Sequence, residues 1–148
     1  HSMKTSPNGI KLIKEFEGLR LNAYLCPANI WTIGYGITEI NGKNVQEGDS
    51  INEEAAESLL LHEIQRFEAI VLSRLEVSVN QNQFDALVSH TFNTGGSDTL
   101  FELINKKASN VEIRHWMINS YITSNGVTLN GLIKRREIEA ELFLSDII

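Results

Sequence analysis

The chain has the size and composition of one globular domain. Its 148 residues are 42% hydrophobic and 22% charged, which excludes a disordered, collagen-like or coiled-coil protein. A chain of this length buries about 70% of the surface that its unfolded state exposes, so it needs no disulfide to fold. The single cysteine excludes an intrachain disulfide and a Cys-based zinc site. The formal charge of −6 argues against a nucleic-acid-binding protein.

No segment has the pattern of a membrane anchor. No apolar run approaches the roughly 18 residues of a transmembrane helix. His1 and Ser2 precede Met3 and are interpreted as a cloning remnant, so the domain is assigned to residues 3–148. The residues after Met3 lack the apolar core of a signal peptide. We therefore expect no membrane insertion and no signal-directed export.

The first third of the sequence predicts a helix followed by a small β-sheet. Ser6 and Pro7 have the pattern of a helix cap and first turn, and Gly18 is placed to end that helix. Residues 19–49 hold five glycines or prolines between short β-favouring runs, which is typical of strands joined by tight turns. Residues 3–51 are therefore predicted to form an N-terminal lobe.

The rest of the chain predicts helices. Ser50 and Glu53 match the S-x-x-E capping box, and the apolar spacing after them predicts a long connecting helix over residues 52–75. A helical lobe over residues 76–148 follows. Its first helix has a cap at Asn80 and is closed by residues 93–96, further helices are predicted over 99–106, 111–121 and 132–144, and turns at 125–126 and 130–131. Because the strands are confined to the N-terminal part, the predicted fold class is α+β and mostly helical.

The residues that usually carry catalysis form few recognisable patterns. No two histidines have the spacing of a zinc site, and neither a P-loop nor a G-x-S-x-G nucleophile motif occurs. His90 lies on a helix that we expect to be half-buried, where a core histidine is a simpler interpretation than a catalyst. These absences favour carboxylate chemistry without a metal or a cofactor.

Glu17 is the carboxylate whose position most favours catalysis. It lies in the last turn of the first helix, where the helix dipole disfavours a negative charge. Phe16, Leu19 and Leu21 add apolar neighbours, which disfavour the charge further. A carboxyl group held protonated in this way suits the general acid of a glycosidase. An exposed helix-end residue without a catalytic role is the alternative that these arguments leave open.

Three segments resemble one family, in the same order. The first is a glutamate, eight residues, a cysteine, five residues and a threonine, at Glu17, Cys26 and Thr32, with I-G-Y-G directly after the threonine. The second is Q-F-D-A-L-V-S with F-N-x-G within residues 83–95, and the third is G-L-I-K-R-R-E at residues 131–137. Together they resemble the phage-type lysozymes, or endolysins, of glycoside hydrolase family 24. Cys26 stands where that family usually has Asp.

The resemblance implies a muramidase, an enzyme that cuts the β-1,4 bond between N-acetylmuramic acid and N-acetylglucosamine in peptidoglycan. In the family's pattern Glu17 would protonate the leaving oxygen. Cys26 would be the second catalytic group, and Thr32 would help to place the water. The implied fold is a two-lobed lysozyme fold, with the saccharide chain between the N-terminal lobe and the helical lobe.

The resemblance also assigns residues that bind substrate or support the acid. Tyr35, Phe92 and Asn93 are expected to contact the saccharide. Arg135, or else its neighbour Arg136, is expected to reach the catalytic acid and to favour its charged form. The alternative for Arg135 is a solvated helix face on which it pairs with Glu139, a contribution of about 0.3–0.5 kcal/mol.

The function implied by these assignments is host lysis by a phage or prophage endolysin. We expect the protein to accumulate in the bacterial cytoplasm, to reach peptidoglycan with the help of a holin, and to act as a monomer. Two alternatives stay open. One is a peptidoglycan-binding module that has lost catalysis, since Cys26 is not a carboxylate. The other is a lysozyme-like antibacterial effector.

Overall fold

The computed structural model describes residues 3–145 of the chain. His1 and Ser2, interpreted from the sequence as a cloning remnant, lie outside the described residues, as do residues 146–148. The described part is mostly helical with small antiparallel sheets, which confirms the predicted fold class. Its elements in chain order are α1 Pro7–Glu17, β1 Arg20–Leu25, β2 Trp31–Gly34, β3 Glu39–Ile40, β4 Lys43–Asn44, α2 Glu53–Arg74, α3 Gln81–Thr94, α4 Asp98–Asn105, α5 Asn110–Asn119, β5 Thr123–Ser124, β6 Val127–Thr128 and α6 Asn130–Leu144.

The described residues form two compact units. One comprises residues 11–65, and the other comprises residues 3–10 together with residues 66–145. The chain passes from one unit to the other within α1 and again within α2. No helix in the described part of the chain is both long enough and apolar enough to cross a membrane.

The unit of residues 11–65 contains two β-hairpins and parts of two helices. Strands β1 and β2 pair in antiparallel fashion, with Tyr24 opposite Thr32 and Leu25 opposite Trp31. Strands β3 and β4 form a shorter hairpin. Burial of apolar side chains is the main stabilising term for such a unit. The fully buried apolar residues here are Ile13, Ile33, Ala56 and Leu60.

Helix α2 begins at a different cap from the one predicted. The helix starts at Glu53, and the Ala55 N–H donates to Asn52 Oδ1 at 2.8 Å. The predicted capping box at Ser50 is therefore wrong, since Ser50 forms an isolated β-bridge with Asn22 instead. Asn caps a helix as well as Ser does, and Asn52 directly precedes the first helical residue. The predicted length of the helix is confirmed to within about one residue at each end.

Helices α3 to α6 supply the core of the other unit. Helix α3 starts at the predicted cap: Asn80 Oδ1 accepts the Gln83 N–H at 2.8 Å, and Gln83 Oε1 accepts the Asn80 N–H at 2.9 Å. It ends within the predicted stretch of residues 93–96, at Gly95, which has the left-handed conformation with φ 87°. The large apolar side chains that this unit buries include Phe84, Leu87, Leu100, Met117 and Phe143.

The C-terminal part of the chain differs from the prediction in two respects. Helix α6 begins at Asn130, so the predicted turn at residues 130–131 is wrong. The turn at residues 125–126 is confirmed, but it joins strands β5 and β6, which the sequence did not predict. Strands of two residues are too short to show the alternation from which a strand is predicted.

Buried carboxylates anchor the start of α1. Asp85 Oδ1 accepts the Ser6 N–H at 3.0 Å, and the same carboxylate accepts the Ser6 hydroxyl. Ser6 Oγ in turn accepts the Gly9 N–H at 3.1 Å, as a helix cap does. Glu68 Oε2 accepts the N–H and the hydroxyl of Thr5 at 2.6 and 2.7 Å. Negative charge is favourable at a helix N-terminus, so these contacts fix the helix whose other end carries the predicted catalytic acid.

Candidate active site

Glu17 is the last residue of α1, and its side chain is half-buried. The helix stops at Gly18, which has φ 70° and whose N–H donates to the Lys14 carbonyl oxygen at 2.9 Å. The Glu17 carboxyl group lies against the loop that follows β2. A Cβ atom built on Gly36 would be 2.8 Å from Glu17 Oε1. The helix end and the loop thus form two parts of the surroundings of the carboxyl group.

The loop against Glu17 contains the I-G-Y-G part of the family motif. Ile33 and Ile37 exchange two backbone hydrogen bonds of 2.8 Å, which close a three-residue loop between them. Gly34 and Gly36 have φ values of 64° and 79°. This left-handed region is costly for a residue with a Cβ atom, so the loop conformation itself requires glycine at both positions. Tyr35 lies between them at the tip of the loop.

Cys26 lies in the turn that joins β1 and β2, and its side chain is half-buried. Its N–H donates to the Ile30 carbonyl oxygen at 3.0 Å, and its own carbonyl oxygen accepts the Asn29 N–H at 2.8 Å. Asn29 has φ 62°, a conformation that Asn tolerates better than most residues. These contacts hold the sulfur atom at the tip of the hairpin.

The surroundings of Cys26 favour its thiolate form. Hydrogen bonds from the backbone N–H groups of Ile30 and Ala28 lower the pKa of the Cys26 thiol below its ordinary value, and a hydrogen bond from the Thr32 side chain acts in the same direction. Partial desolvation opposes these effects without outweighing them. Backbone N–H groups that converge on one atom stabilise negative charge there. Cys26 is thus the kind of thiol that reacts as an anion.

Thr32 is buried next to this turn. Its hydroxyl donates to the Ile30 carbonyl oxygen at 2.9 Å. A threonine hydroxyl has one proton, so it donates either to Ile30 or to the Cys26 sulfur at any one time. The structure therefore brings Thr32 and Cys26 together, as members of one hydrogen-bonded turn.

Tyr35 is half-buried and packs beside a cation. The Lys14 ammonium lies 5.8 Å from the centre of the Tyr35 ring, within the range of a cation–π contact. Lys14 also forms an ion pair with Glu57 of α2. Lys14 of α1 thus contacts both the loop that carries Tyr35 and helix α2.

The other predicted substrate-binding residues, Phe92 and Asn93, belong to the unit that contains residues 66–145. Phe92 is half-buried and packs against Phe67, with ring centres 5.1 Å apart. Asn93 is exposed, and its Oδ1 accepts a hydrogen bond from Arg136 Nη2. That bond fixes which way the Asn93 amide points, because the oxygen is already occupied by a donor.

Arg135 is buried in a network of polar side chains of α3 and α6. Its Nε donates to Glu139 Oε2 at 3.1 Å, and its Nη2 donates to the Ser89 carbonyl oxygen at 3.0 Å. Ser89 Oγ donates to the same Glu139 oxygen at 2.5 Å, and Arg136 Nη1 lies 2.9 Å from Glu139 Oε1. Arg135 and Glu139 thus form the pair that the alternative interpretation expected. They do so in the interior, however, so the solvated helix face is wrong.

His90 is fully buried, not half-buried as predicted. Its ring packs against Tyr121 and Trp116, with centres 5.5 and 6.0 Å apart. Within residues 3–145 neither ring nitrogen has a hydrogen-bond partner. Burial, with the positive charges of Arg136 and Arg135 adding to it, lowers the pKa of His90 to about 3. His90 is therefore a neutral core residue, as the simpler interpretation held.

The depressed pKa of His90 predicts a loss of stability in acid. The unfolded chain binds a proton at His90 below about pH 6.5, while the folded state does so only near pH 3. The free energy of unfolding should therefore fall by about 2 kcal/mol between pH 7 and pH 5 on account of this residue.

Urea unfolding of the parent and of His90→Leu at both pH values measures this contribution. Between pH 7 and pH 5 the free energy of unfolding should fall by about 2 kcal/mol less in His90→Leu than in the parent. His62→Leu, which removes an exposed histidine, is the matched control and should keep the loss of the parent. An equal loss in His90→Leu and in the parent would show that another group unfolds the protein in acid.

Two features of the site were not predicted from the sequence. One is the pair of backbone N–H groups, from Ala28 and Ile30, that stabilise the Cys26 thiolate; no side chain marks them. The other is the contact of Gly36 with Glu17, for which the second glycine of I-G-Y-G is the only signal. Within residues 3–145 no group of three or more His, Cys, Asp or Glu side chains could hold a metal ion.

The chain is similar to known endolysins over nearly its whole length. An endolysin of Acyrthosiphon pisum secondary endosymbiont phage 1 is 38% identical over 150 residues, which covers 97% of this chain and 99% of that protein. An endolysin of Bacillus phage B103 is 43% identical over 153 residues, which covers 97% of this chain but 55% of that longer protein.

A solved structure and a family profile indicate the same class of protein as these relatives. The endolysin from Escherichia coli O157:H7 phage FAHEc1 superimposes with a TM-score of 0.89 at 40% identity, covering 99% of this chain and 97% of that one. The sequence profile of the family described as phage lysozyme matches residues 14–139, which include Glu17, Cys26 and Thr32. The chain therefore belongs to the phage lysozyme family.

Proposed function

We propose that this protein hydrolyses the β-1,4 bond after N-acetylmuramic acid with Glu17 as the general acid and Cys26 as the second catalytic group. The observation that carries the proposal is the environment of Cys26. A thiol that replaces a carboxylate must be ionised to act in its place, and two backbone N–H groups and the Thr32 hydroxyl favour that ionisation. The enzyme class itself rests on the family: the chain is a lysozyme of the endolysin type.

The proposed chemistry divides between the two groups. Glu17 gives its proton to the glycosidic oxygen, the bond from that oxygen to the anomeric carbon breaks, and the electron pair stays with the oxygen. Positive charge then develops at the anomeric carbon, and water supplies the new hydroxyl group there. The Cys26 thiolate removes a proton from this water, or it only stabilises the charge while Glu17 takes that proton back. In a third route the thiolate attacks the carbon, and water then breaks the carbon–sulfur bond while Glu17 takes the proton of the water. Thr32 helps to place the water.

Tyr35, Phe92 and Asn93 are proposed to contact the saccharide. The rings of Tyr35 and Phe92 are half-buried, so each keeps part of its surface for a sugar ring. The Asn93 oxygen is bound to Arg136, so the amide N–H groups are the atoms that Asn93 offers to the substrate. An N-acetyl carbonyl oxygen is an acceptor of matching chemistry.

Arg135 is proposed to favour the charged form of the Glu17 carboxyl group. Substitution of Arg135 tests that role. Arg135→Met deletes the donor to Glu139 and Ser89, so a buried carboxylate loses one of its partners. We expect a loss of about 3 kcal/mol in the free energy of unfolding, measured by urea denaturation. We also expect a changed pH profile of lytic activity. Lys134→Met, on an exposed position of the same helix, should change neither. An unchanged pH profile in Arg135→Met would reduce Arg135 to a structural residue.

The route to the wall is a second part of the proposal. A holin is proposed to release the protein from the host cytoplasm to the peptidoglycan, and the protein is proposed to act as a monomer. Expression in a bacterial host with and without a co-expressed holin tests the first statement, and lysis should require the holin. Sedimentation of the purified protein tests the second, with a dimer as the contradicting result.

Turbidity measurements separate the proposed enzyme from its rivals. Gram-negative cells with a permeabilised outer membrane should lose turbidity when the parent protein is added. A binding module without catalysis would sediment with purified peptidoglycan and leave the turbidity unchanged. An antibacterial effector would share the activity, so only the neighbouring genes distinguish it from an endolysin.

A further inference from the structure

We propose that Gly36 is a positioning residue for the catalytic acid: because it has no side chain, it sets where the Glu17 carboxyl group lies. The inference rests on the proposed role of Glu17 and deepens it. It concerns two residues that are far apart in the sequence but belong to the same compact unit.

The contact between the two residues is close and specific. A Cβ atom on Gly36 would lie 2.8 Å from Glu17 Oε1 and 3.8 Å from Glu17 Cδ. Apart from the chain neighbours of Gly36, Glu17 is the only described residue with an atom within 4 Å of that point. A carbon and an oxygen do not approach to 2.8 Å without repulsion, so any side chain at position 36 displaces the carboxyl group.

Other glycines of the same unit show that this contact is separate from backbone conformation. Gly18, Gly42 and Gly48 also have positive φ, yet a Cβ atom on any of them would meet nothing within 4 Å. A Cβ atom on Gly34 would touch apolar side chains at ordinary distances of 3.4 Å or more. Positive φ therefore explains why each position favours glycine. At Gly36 the close approach of a carboxylate oxygen is a second, separate reason for glycine.

The flexible partner in this contact is the glutamate. The loop backbone is closed by the two hydrogen bonds between Ile33 and Ile37, whereas the Glu17 side chain has several rotatable bonds. A methyl group at position 36 should therefore move the carboxyl group rather than the loop. A misplacement of about 1 Å in a reacting group can cost about 10²-fold in rate.

The experiment compares Gly36→Ala with Gly42→Ala. Both substitutions place alanine at positive φ, 79° and 82°, so both carry similar backbone strain, but only the first reaches a catalytic residue. We expect kcat on purified peptidoglycan to fall about 10²-fold in Gly36→Ala relative to Gly42→Ala, with little change in KM. Gly36→Ala should cause no further loss in a Glu17→Gln background, because the two changes remove the same contribution.

A spectroscopic measurement observes the carboxyl group without relying on activity. The ¹³C signal of the Glu17 carboxyl carbon, assigned by its disappearance in Glu17→Gln, should shift in Gly36→Ala and stay in place in Gly42→Ala. If Gly36→Ala folds poorly, Gly36→Asn replaces it, with Gly42→Asn as its control, because Asn tolerates positive φ while it still adds a Cβ atom.

The possible results distinguish the positioning role of Gly36 from the role of Glu17 as the catalytic acid. An unmoved Glu17 signal with kcat equal to the control overturns the role of Gly36, while Glu17 itself stays open to direct substitution. A shifted signal with an unchanged kcat also overturns the inference, since the carboxyl group has then moved without effect on the reaction, and the rate of Glu17→Gln decides separately whether Glu17 acts as the acid. A shifted signal with the expected loss of kcat supports both.

Discussion

Glu17→Gln should lose at least about 10²-fold in lytic rate while keeping the fold. Glutamine has nearly the same shape as glutamic acid and makes hydrogen bonds, but it cannot give a proton to the glycosidic oxygen. Removal of a general acid typically costs about 10²–10⁴-fold. The rate of turbidity loss measures the effect, and far-UV circular dichroism with a melting curve shows that the fold is intact.

Glu15→Gln is the matched control for this substitution. Glu15 lies on the same helix, two residues earlier, which places it on a different face, and its side chain is exposed. Its variant removes the same charge and should lyse cells at nearly the parent rate. Parent-like lysis by Glu17→Gln would remove Glu17 from the catalytic machinery. An equal loss in both variants would point to net charge rather than to proton transfer.

Cys26→Ala should be nearly inactive, with a loss of about 10²-fold or more, whereas Cys26→Asp should be active. The alanine variant has no group that can carry a negative charge opposite the developing positive charge. The aspartate variant restores that charge in the form that the family usually has. Measured lysis rates of the two variants, on protein of equal melting temperature, test the role of charge at this position.

Cys26→Ser distinguishes the effect of side-chain size on lytic activity from the effect of side-chain ionisation. Serine nearly matches cysteine in shape and accepts the same backbone hydrogen bonds, but its hydroxyl is not ionised near neutral pH. The serine variant should therefore be as inactive as the alanine variant. An active Cys26→Ser or Cys26→Ala would show that the thiol merely packs in the turn, as many free cysteines do.

Alkylation tests the ionisation of the thiol directly. Cys26 is the only cysteine in the chain, so iodoacetamide can modify a thiol at no other position. Because hydrogen bonds from Ile30 and Ala28 lower the pKa of this thiol, alkylation should reach half its maximal rate at a lower pH than in the urea-unfolded protein, where the thiol lacks these hydrogen bonds. Alkylation should inactivate the parent and leave Cys26→Asp unaffected. An alkylated parent that still lyses cells would contradict the catalytic assignment.

The helices and the motif residues could be predicted from the sequence because their signals are local. A helix cap, a glycine stop and apolar spacing act over a few neighbouring residues, and they located the ends of α1 and α3 correctly. The capping of α2 shows the limit of such signals. Ser50 and Asn52 both fit a helix start by sequence, and a β-bridge from Ser50 to Asn22, distant in the chain, decided between them.

The burial of the charged residues of α6 could not be predicted in this way. Arg135, Arg136 and Glu139 form i,i+3 and i,i+4 pairs that are equally typical of a solvated helix. Their burial depends on packing against α3, where Ser89 and Asn93 supply matching polar atoms. Such contacts across about 45 residues of sequence leave no local pattern.

The thiolate environment of Cys26 was beyond prediction for a related reason. The sequence identified Cys26 by its place in the family motif, but the groups that stabilise the thiolate are largely main-chain atoms. Their direction depends on the turn, including the positive φ of Asn29, and every residue except proline has the same N–H group. The resemblance to the family motif therefore indicated Cys26, and the conformation of the turn supplied the physical reason for its ionisation.

Mass analysis of digested peptidoglycan tests the central claim most directly. Purified wall is incubated with the parent, with Glu17→Gln and with Cys26→Asp, and the ends of the released fragments are identified. Hydrolysis by the proposed pair of groups predicts fragments with a reducing N-acetylmuramic acid end from the parent and from Cys26→Asp, and almost none from Glu17→Gln. Fragments with a 1,6-anhydro or a reducing N-acetylglucosamine end, or abundant fragments from Glu17→Gln, would contradict it.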